Sequence, residues 1–247
     1  MITVEGLTHR FGDVAVLDNL SLHIGAGQFG GLVGPSGCGK STLLKILAGL
    51  LVPDGGEARI DGSSVVGRPG RTAYMPQRDL LLAWRRTLGN ATVGAEIAGV
   101  PRQEAQARAR RLLGRFGLDG FEHAWPAELS GGMRQRLALL RTFLCGHDVL
   151  LLDEPFGALD AITRRDMHAW LQQVLADDPR TVLLVTHDVE EALLLADTVI
   201  VLSERPARIV KELPVEFEWP RRTGLVTSSG FIQAKATLLE ALETGRS

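Results

Sequence analysis

Cysteine is scarce: there are two among 247 residues, and Cys38 and Cys145 show no paired metal spacing. That excludes a disulfide-rich scaffold and a cysteine-based zinc site, so a reducing, cytosolic compartment is the simpler expectation. Charge of one sign is also lacking, since the formal net charge is only -2. A balance so close to neutral supplies no global pull toward nucleic acid or an anionic membrane. Long apolar runs are missing too. Val149–Leu152 and Thr181–Val185 are far too short to span a bilayer, and M-I-T-V-E-G-L-T-H-R lacks the basic and long apolar regions of a signal peptide. The expectation is a chain soluble by itself, so that any pore it serves belongs to other chains.

What is present is a chain of 247 residues, 45% hydrophobic and 23% charged, enough for one sizeable α/β domain with room for an inserted lobe. Its organising stretch is L-V-G-P-S-G-C-G-K-S-T-L-L-K-I-L-A-G-L at 32–50. Gly34, Pro35, Ser36, Gly37, Cys38, Gly39, Lys40 and Ser41 fit the phosphate-cradling pattern G-x-x-x-x-G-K-[ST], with Thr42 next. The glycines let backbone N–H groups curl around phosphate oxygens, and the following helix presents its positive end to the same anion. Lys40 can reach terminal phosphates as a point charge, and the Ser41 hydroxyl is placed to ligate Mg²⁺. Phe29–Val33 reads as a short buried strand before the loop, while Leu43, Leu44, Leu47 and Leu50 keep helical spacing after it.

Elsewhere, residues 2–33 alternate apolar positions between glycines, which suggests strands and tight turns. Phe11, just before a G-D turn, either stacks on a nucleotide base or packs under a hairpin. V-P-D-G-G-E at 52–57 reads as a turn, with a strand returning in E-A-R-I-D-G, and Thr72–Met75 as a strand ending at Pro76 and Gln77. From about Arg78 to Glu128 the texture turns helical. Arg102–Phe116 sets Ala105, Ala109, Leu112, Leu113 and Phe116 on one side and Arg108, Arg111 and Arg115 on a solvated face. Strand rhythm resumes in D-V-L-L-L-D-E-P, a buried parallel strand delivering Asp153 and Glu154 at its C-terminal end, where open α/β sheets place their ligands. Thr181–Val185 repeats this and ends in Thr186, His187 and Asp188; Asp197–Leu202 and Ala207–Glu212 add strands, and Phe231–Leu242 a closing helix.

Phosphoryl transfer to water needs a cradle, Mg²⁺, an oriented water and positive groups near the developing charge. Asp153 is placed to hold the metal or its water, and Glu154 to act as general base. His187 can donate to a γ-phosphate, and Gln77 is either a sensor of Mg²⁺ and water or an exposed turn amide. L-S-G-G-M-R-Q-R at 129–136 makes Ser130, Gly131 and Gly132 a second anion-binding helix start or an ordinary capped helix.

The order phosphate loop, Gln77, L-S-G-G-M, D-E-P, A-L-D and His187 resembles the ATP-binding cassette (ABC) ATPases over roughly residues 1–215. The resemblance implies a P-loop NTPase (RecA-like) α/β core over 1–77 and 148–215 that carries an antiparallel β subdomain. It also implies an inserted α-helical signature subdomain over 78–147 and a tail over 216–247. It implies ATP and Mg²⁺ as ligands, with Ser41, Gln77 and Asp153 on the metal and Glu154, His187 and Gln77 in catalysis. In that family two cassettes face head to tail, so Ser130, Gly131 and Gly132 would serve the partner's nucleotide, with Asp160 at the dimer contact. Phe11 matches the base-stacking position.

The segment after Gln77, R-D-L-L-L-A-W-R-R-T, is similar to importers of the nitrate, sulfonate and taurine type, including those for vitamin precursors. There Leu81, Leu82 and Trp84 would receive the membrane permease, and an extracytoplasmic solute-binding protein would act indirectly. Such a subunit sits peripherally on the cytoplasmic face of the inner membrane. Met133 stands where a Gln is common, Phe11 where Tyr is more frequent, and Ala83 at a position often Pro. An exporter cassette, a P-loop kinase and a nucleic-acid-linked cassette are the competing readings. The kinase has no use for L-S-G-G-M, and nucleic-acid cassettes commonly carry two copies or a long insertion.

Overall fold

A computed structural model describes the chain over residues 1–245, so the last two residues of the expected tail lie outside the described residues. β1 (Ile2–Phe11), β2 (Val14–Ile24) and β3 (Phe29–Val33) lead into α1 (Lys40–Leu47). Next come β4 (Gly55–Ile60), β5 (Ser63–Ser64), β6 (Ala73–Met75), α2 (Thr87–Ala91), α3 (Val93–Ile97), α4 (Arg102–Leu113) and α5 (Gly131–Leu144). The chain then runs through β7 (Val149–Asp153), α6 (Ala161–Asp177), β8 (Thr181–Val185), α7 (Val189–Leu195), β9 (Thr198–Leu202), β10 (Ile209–Pro214) and α8 (Ser229–Thr244).

Two sheets result. The smaller has the order β2-β1-β4-β5 and is antiparallel throughout. The larger has the order β10-β9-β3-β8-β7-β6, parallel except at the β10 edge. Its central strands are apolar on both faces, and alternation divides them. Val149, Leu151, Leu183 and Val185 join the core shared with α1 and the antiparallel sheet. Leu150, Leu152, Val182 and Leu184 join the core under α5, α6, α7 and α8. A strand buried on both sides must read as an unbroken apolar run, which is why β3, β7 and β8 stand out in the sequence.

The topology also sets the site. β3, β8, β7 and β6 are consecutive neighbours in the sheet, and Leu32 pairs with Val185, Val185 with Asp153, and Leu152 with Met75. The C-terminal ends of these strands and the loops after them carry the phosphate loop, His187, Asp153–Glu154 and Gln77, so a single sheet edge collects residues spread over more than a hundred positions.

Three expectations need correction. α1 stops at Leu47, because Gly49 turns left-handed (φ +73°) against the Arg68 backbone, and Leu50 is exposed rather than on the helix's buried face. Gly55–Glu57 belong to β4 and not to a turn. Gly56 sits at φ +83°, where a Cβ would fall 2.4 Å from the Gly6 carbonyl oxygen, so two glycines allow β1 and β4 to approach at a bulge. Finally, Gly114–Phe116 tighten into a 3-10 turn after α4, closed by left-handed Gly117.

Candidate nucleotide site

The loop between β3 and α1 is built as its glycines require. Gly37 and Gly39 take φ +76° and +127°, and Gly39 opens α1 without any side-chain cap. The first-turn N–H groups of α1 are therefore available to an anion. Lys40 is buried, its Nζ donating to the carbonyls of Gly34 at 2.7 Å and Pro35 at 2.8 Å. Gly34 and Cys38 are buried and Pro35 is half-buried, while Ser36 and Gly37 form the exposed crest and Ser41 and Thr42 are half-buried in the first helical turn. Burial pushes the Cys38 thiol up, with the Lys40 charge opposing.

Asp153 ends β7, 2% exposed, and burial pushes its carboxyl above the usual range. The neighbouring Ser41 hydroxyl pulls it the other way, and the Glu154 charge adds to the rise. Tyr74, from β6, lies beside the same carboxylate, and burial first and then Asp153 push its phenol upward. A buried carboxylate beside the Ser41 hydroxyl is an oxygen donor set that suits a hard cation, whose charge would offset the cost of burying the carboxylate.

Glu154 takes the left-handed backbone (φ +50°) while its amide donates to the Val185 carbonyl at 2.9 Å. Gln77 Nε2 donates to Glu154 Oε2 at 3.2 Å, and His187 Nδ1 lies 3.4 Å from the same oxygen. Gln77 thus ties one carboxylate oxygen, with His187 beside it, and Oε1 has no protein partner among the described residues.

Other sequence candidates lie apart from this cluster. Ser130 caps α5, its Oγ accepting from the Met133 amide at 3.2 Å, and Met133 packs its side chain against the core. No hydrogen bond or ion pair joins Ser130, Gly131 or Gly132 to the phosphate loop among the described residues. Asp160 caps α6, accepting from the Ile162 and Thr163 amides, and the Thr163 hydroxyl holds its carboxyl below the usual range. Phe11 is half exposed at the β1–β2 turn, edge-on to His9 at 4.6 Å. Leu81 packs on the core and Leu82 is tied down by its backbone, whereas Trp84 is 74% exposed.

Sequence reasoning missed the side chains that hold these parts. Fully buried Asn90 accepts from the Leu82 amide and donates to the carbonyls of Leu82 and Arg85. Arg134 reaches Asp79, and Arg141 donates to the carbonyls of Asp79 and Leu80. Buried Gln135 of α5 lies 3.4 Å from the Glu154 carbonyl. Arg134 and Gln135 stand in the L-S-G-G-M-R-Q-R stretch but had no role assigned there, while Asn90 and Arg141 stand outside it; only helical spacing, which points Asn90 and Gln135 inward, could have suggested their part.

Comparison with known proteins fits this geometry. A family model described as ABC transporter matches residues 17–157. The aliphatic sulfonates import ATP-binding protein of Rhodococcus jostii is 48% identical over 90% of this chain and 86% of its own length. The taurine import ATP-binding protein of Pseudomonas aeruginosa is 47% identical over 82% and 77%. Among solved structures, a dimeric bacterial ABC transporter cassette superposes with TM-score 0.78 at 28% identity, covering 88% of this chain and all of that one. A post-hydrolysis form bound to ADP and phosphate gives the same TM-score at 26% identity, with the same coverage. With its phosphate loop, its paired Asp153–Glu154 and its cassette fold, the chain belongs to the ABC transporter family and is one of its nucleotide-binding ATPases.

Proposed function

We propose that the chain is the ATP-hydrolysing subunit of an importer for small sulfonate-bearing solutes such as taurine or aliphatic sulfonates. It works as a pair of cassettes beneath a separate permease at the cytoplasmic face of the inner membrane. The observation that carries the ATPase chemistry is the convergence of Gln77 and His187 on Oε2 of Glu154, beside the Lys40 loop. The solute class rests on the sulfonate and taurine relatives.

In this reading the α1 amides and Lys40 bind the phosphates, and Phe11 supports the base. Ser41 and Asp153, with Gln77 nearby, hold Mg²⁺, which supplies charge neutralisation on the phosphate oxygens. Glu154 Oε1 takes the proton of the attacking water, and Oε2 stays tied to Gln77, with His187 alongside, so that the free oxygen keeps its direction. Ser130, Gly131 and Gly132 of one copy close over the nucleotide of the other, and Asp160 stands at that contact. Nucleotide then favours closure, and loss of the γ-phosphate weakens it. The segment 78–147 is the lobe that carries this surface, set between core segments 1–77 and 148–215 and followed by the tail 216–247. Its exposed Trp84 borders a 660 Å³ cleft with Arg102, Arg110 and Trp125, where the permease docks.

The test is reconstitution with the permease and solute-binding protein in vesicles. Uptake of labelled taurine or an alkyl sulfonate that needs ATP and fails with Lys40→Ala is the expected result. ATP hydrolysis with no uptake of any sulfonate would overturn the solute assignment, and undiminished ATP affinity of Lys40→Ala would overturn the cradle.

A further inference from the structure

A second cavity lies away from the nucleotide residues, between α6 and the 219–222 segment, with a volume of 650 Å³. That is the size of ordinary small-molecule sites. Its walls are held open by bonds no ligand has to form. Gln172 Nε2 donates to the Arg221 carbonyl at 3.1 Å, and the Arg221 amide donates back to Gln172 Oε1 at 2.6 Å. The Arg221 guanidinium is buried and spent on the carbonyls of Val215, Phe217, Leu193 and Ala196. His168 is fixed to Glu191 at 2.9 Å, and Trp219 Nε1 donates to Asp197 at 3.1 Å. These bonds brace the cavity walls without any ligand.

Its charge is laid out along its length. Trp219 borders Ala176 while Arg221 pairs with Gln172 one turn earlier on α6, so the 219–222 segment runs antiparallel to α6, with Arg222 continuing in the direction of Arg165 along the same cavity. Arg165 and Arg222 are exposed and have no carboxylate partner among the described residues. Between the ends, Ala169 and Ala176 offer small apolar surface on α6, with Leu194 and Pro220 also lining the cavity. From Arg165 to Ala176 a helix rises about 16 Å.

We propose that this cleft binds small amphipathic organic anions, a sulfonate or carboxylate head on Arg165 and Arg222 with an apolar body along Ala169 toward Trp219. Asp177 at the far end disfavours the reversed orientation. The site is independent of the importer reading, since its test needs neither permease nor ATP.

The probe is 1-octanesulfonate, titrated calorimetrically into the full chain well below its micelle concentration, with octanoate, 1-octanol and methanesulfonate alongside. Saturable binding of octanesulfonate is expected, weakened about tenfold or more in R165Q/R222Q through the loss of charge-assisted contacts. It is expected to vanish in Ala169→Phe, which fills the cleft from an exposed helix position. Comparable octanoate affinity would mark the shared anionic head as the determinant, and a strong preference for octanesulfonate would narrow the class to sulfonates. No saturable heat, equal affinity for 1-octanol, or binding unchanged in both variants would overturn the proposal. So would a nucleotide-free dimer lost in R165Q/R222Q, because the face would then be a contact between copies of the chain. Retained melting temperatures in both variants exclude misfolding as the cause.

Discussion

Replacing Glu154 by glutamine keeps the side chain's shape and removes one charge, and its consequences divide between chemistry and stability. Oε1 can no longer take up a proton, and loss of a positioned general base lowers turnover about 10²- to 10⁴-fold, roughly 3–5 kcal/mol on the barrier. The fold should lose nothing. The carboxamide oxygen can still accept from Gln77, and the left-handed backbone at φ +50° is common to both proteins. The neighbouring effect runs in favour of the variant, because the Glu154 charge helps push the buried Asp153 carboxyl up and a neutral side chain removes that repulsion. Glu154→Gln should therefore release phosphate at least about 100-fold more slowly, bind ATP with unchanged affinity, accumulate as a dimer with ATP on size exclusion, and melt no lower than the parent. Glu154→Asp is the control: it keeps the charge but withdraws it by one methylene, and it should be slow without any gain in stability. Phosphate release within about tenfold of the parent would refute the base assignment, and a lowered melting temperature would refute the repulsion between the two carboxylates.

Asp153→Asn should raise the melting temperature of the nucleotide-free protein at pH 7 while abolishing Mg²⁺-dependent turnover. Because burial raises the folded-state pKa of Asp153, the folded chain binds that proton more tightly than the unfolded chain, and the parent's stability falls as pH rises through the window above the ordinary aspartate value of about 3.9. The gain from Asn is full above the folded pKa and fades as pH is lowered toward that value, which urea midpoints at two pH values would reveal. Asn90→Ala strips a fully buried site of its bonds to the backbone of Leu82 and Arg85 and should cost about 2–4 kcal/mol by denaturant titration. An unchanged midpoint would mean water replaces the amide. Trp84→Ala, at an exposed position, should leave stability within about 0.5 kcal/mol and isolated ATPase activity intact while uncoupling transport in the assembled complex; full transport would remove Trp84 from the docking surface.

The strands around the site were legible because burial on both faces leaves no choice of residue: Phe29–Val33 and Thr181–Val185 have the bounds their apolar runs suggest. The phosphate loop was legible because left-handed backbone at Gly37 and Gly39 leaves a glycine signature. Gly55–Glu57 misled because a bulge and a turn ask for the same glycines, and only the partner strand tells them apart. The placement of Tyr74 beside Asp153 and of Gln77 and His187 beside Glu154 Oε2 depends on strand order and register, which local sequence does not encode. Glu154 is the sharper case. Nothing about a glutamate announces a left-handed backbone, a conformation that costs roughly 1–2 kcal/mol and persists because the Val185 carbonyl claims its amide.

The arginines of α5 carry one more implication, a mechanical one. Arg134 and Arg141 grip Asp79 and Leu80 from points two turns apart, and Gln135 lies beside the Glu154 backbone. The stretch leading to Trp84 is therefore strapped along a helix about 21 Å long whose first turn begins at Ser130. A push delivered at one end of such a strut displaces the other end by a comparable amount, with little lost to bending. Cutting the straps, for instance with Arg141→Ala, would leave both ends intact and the stroke between them slack.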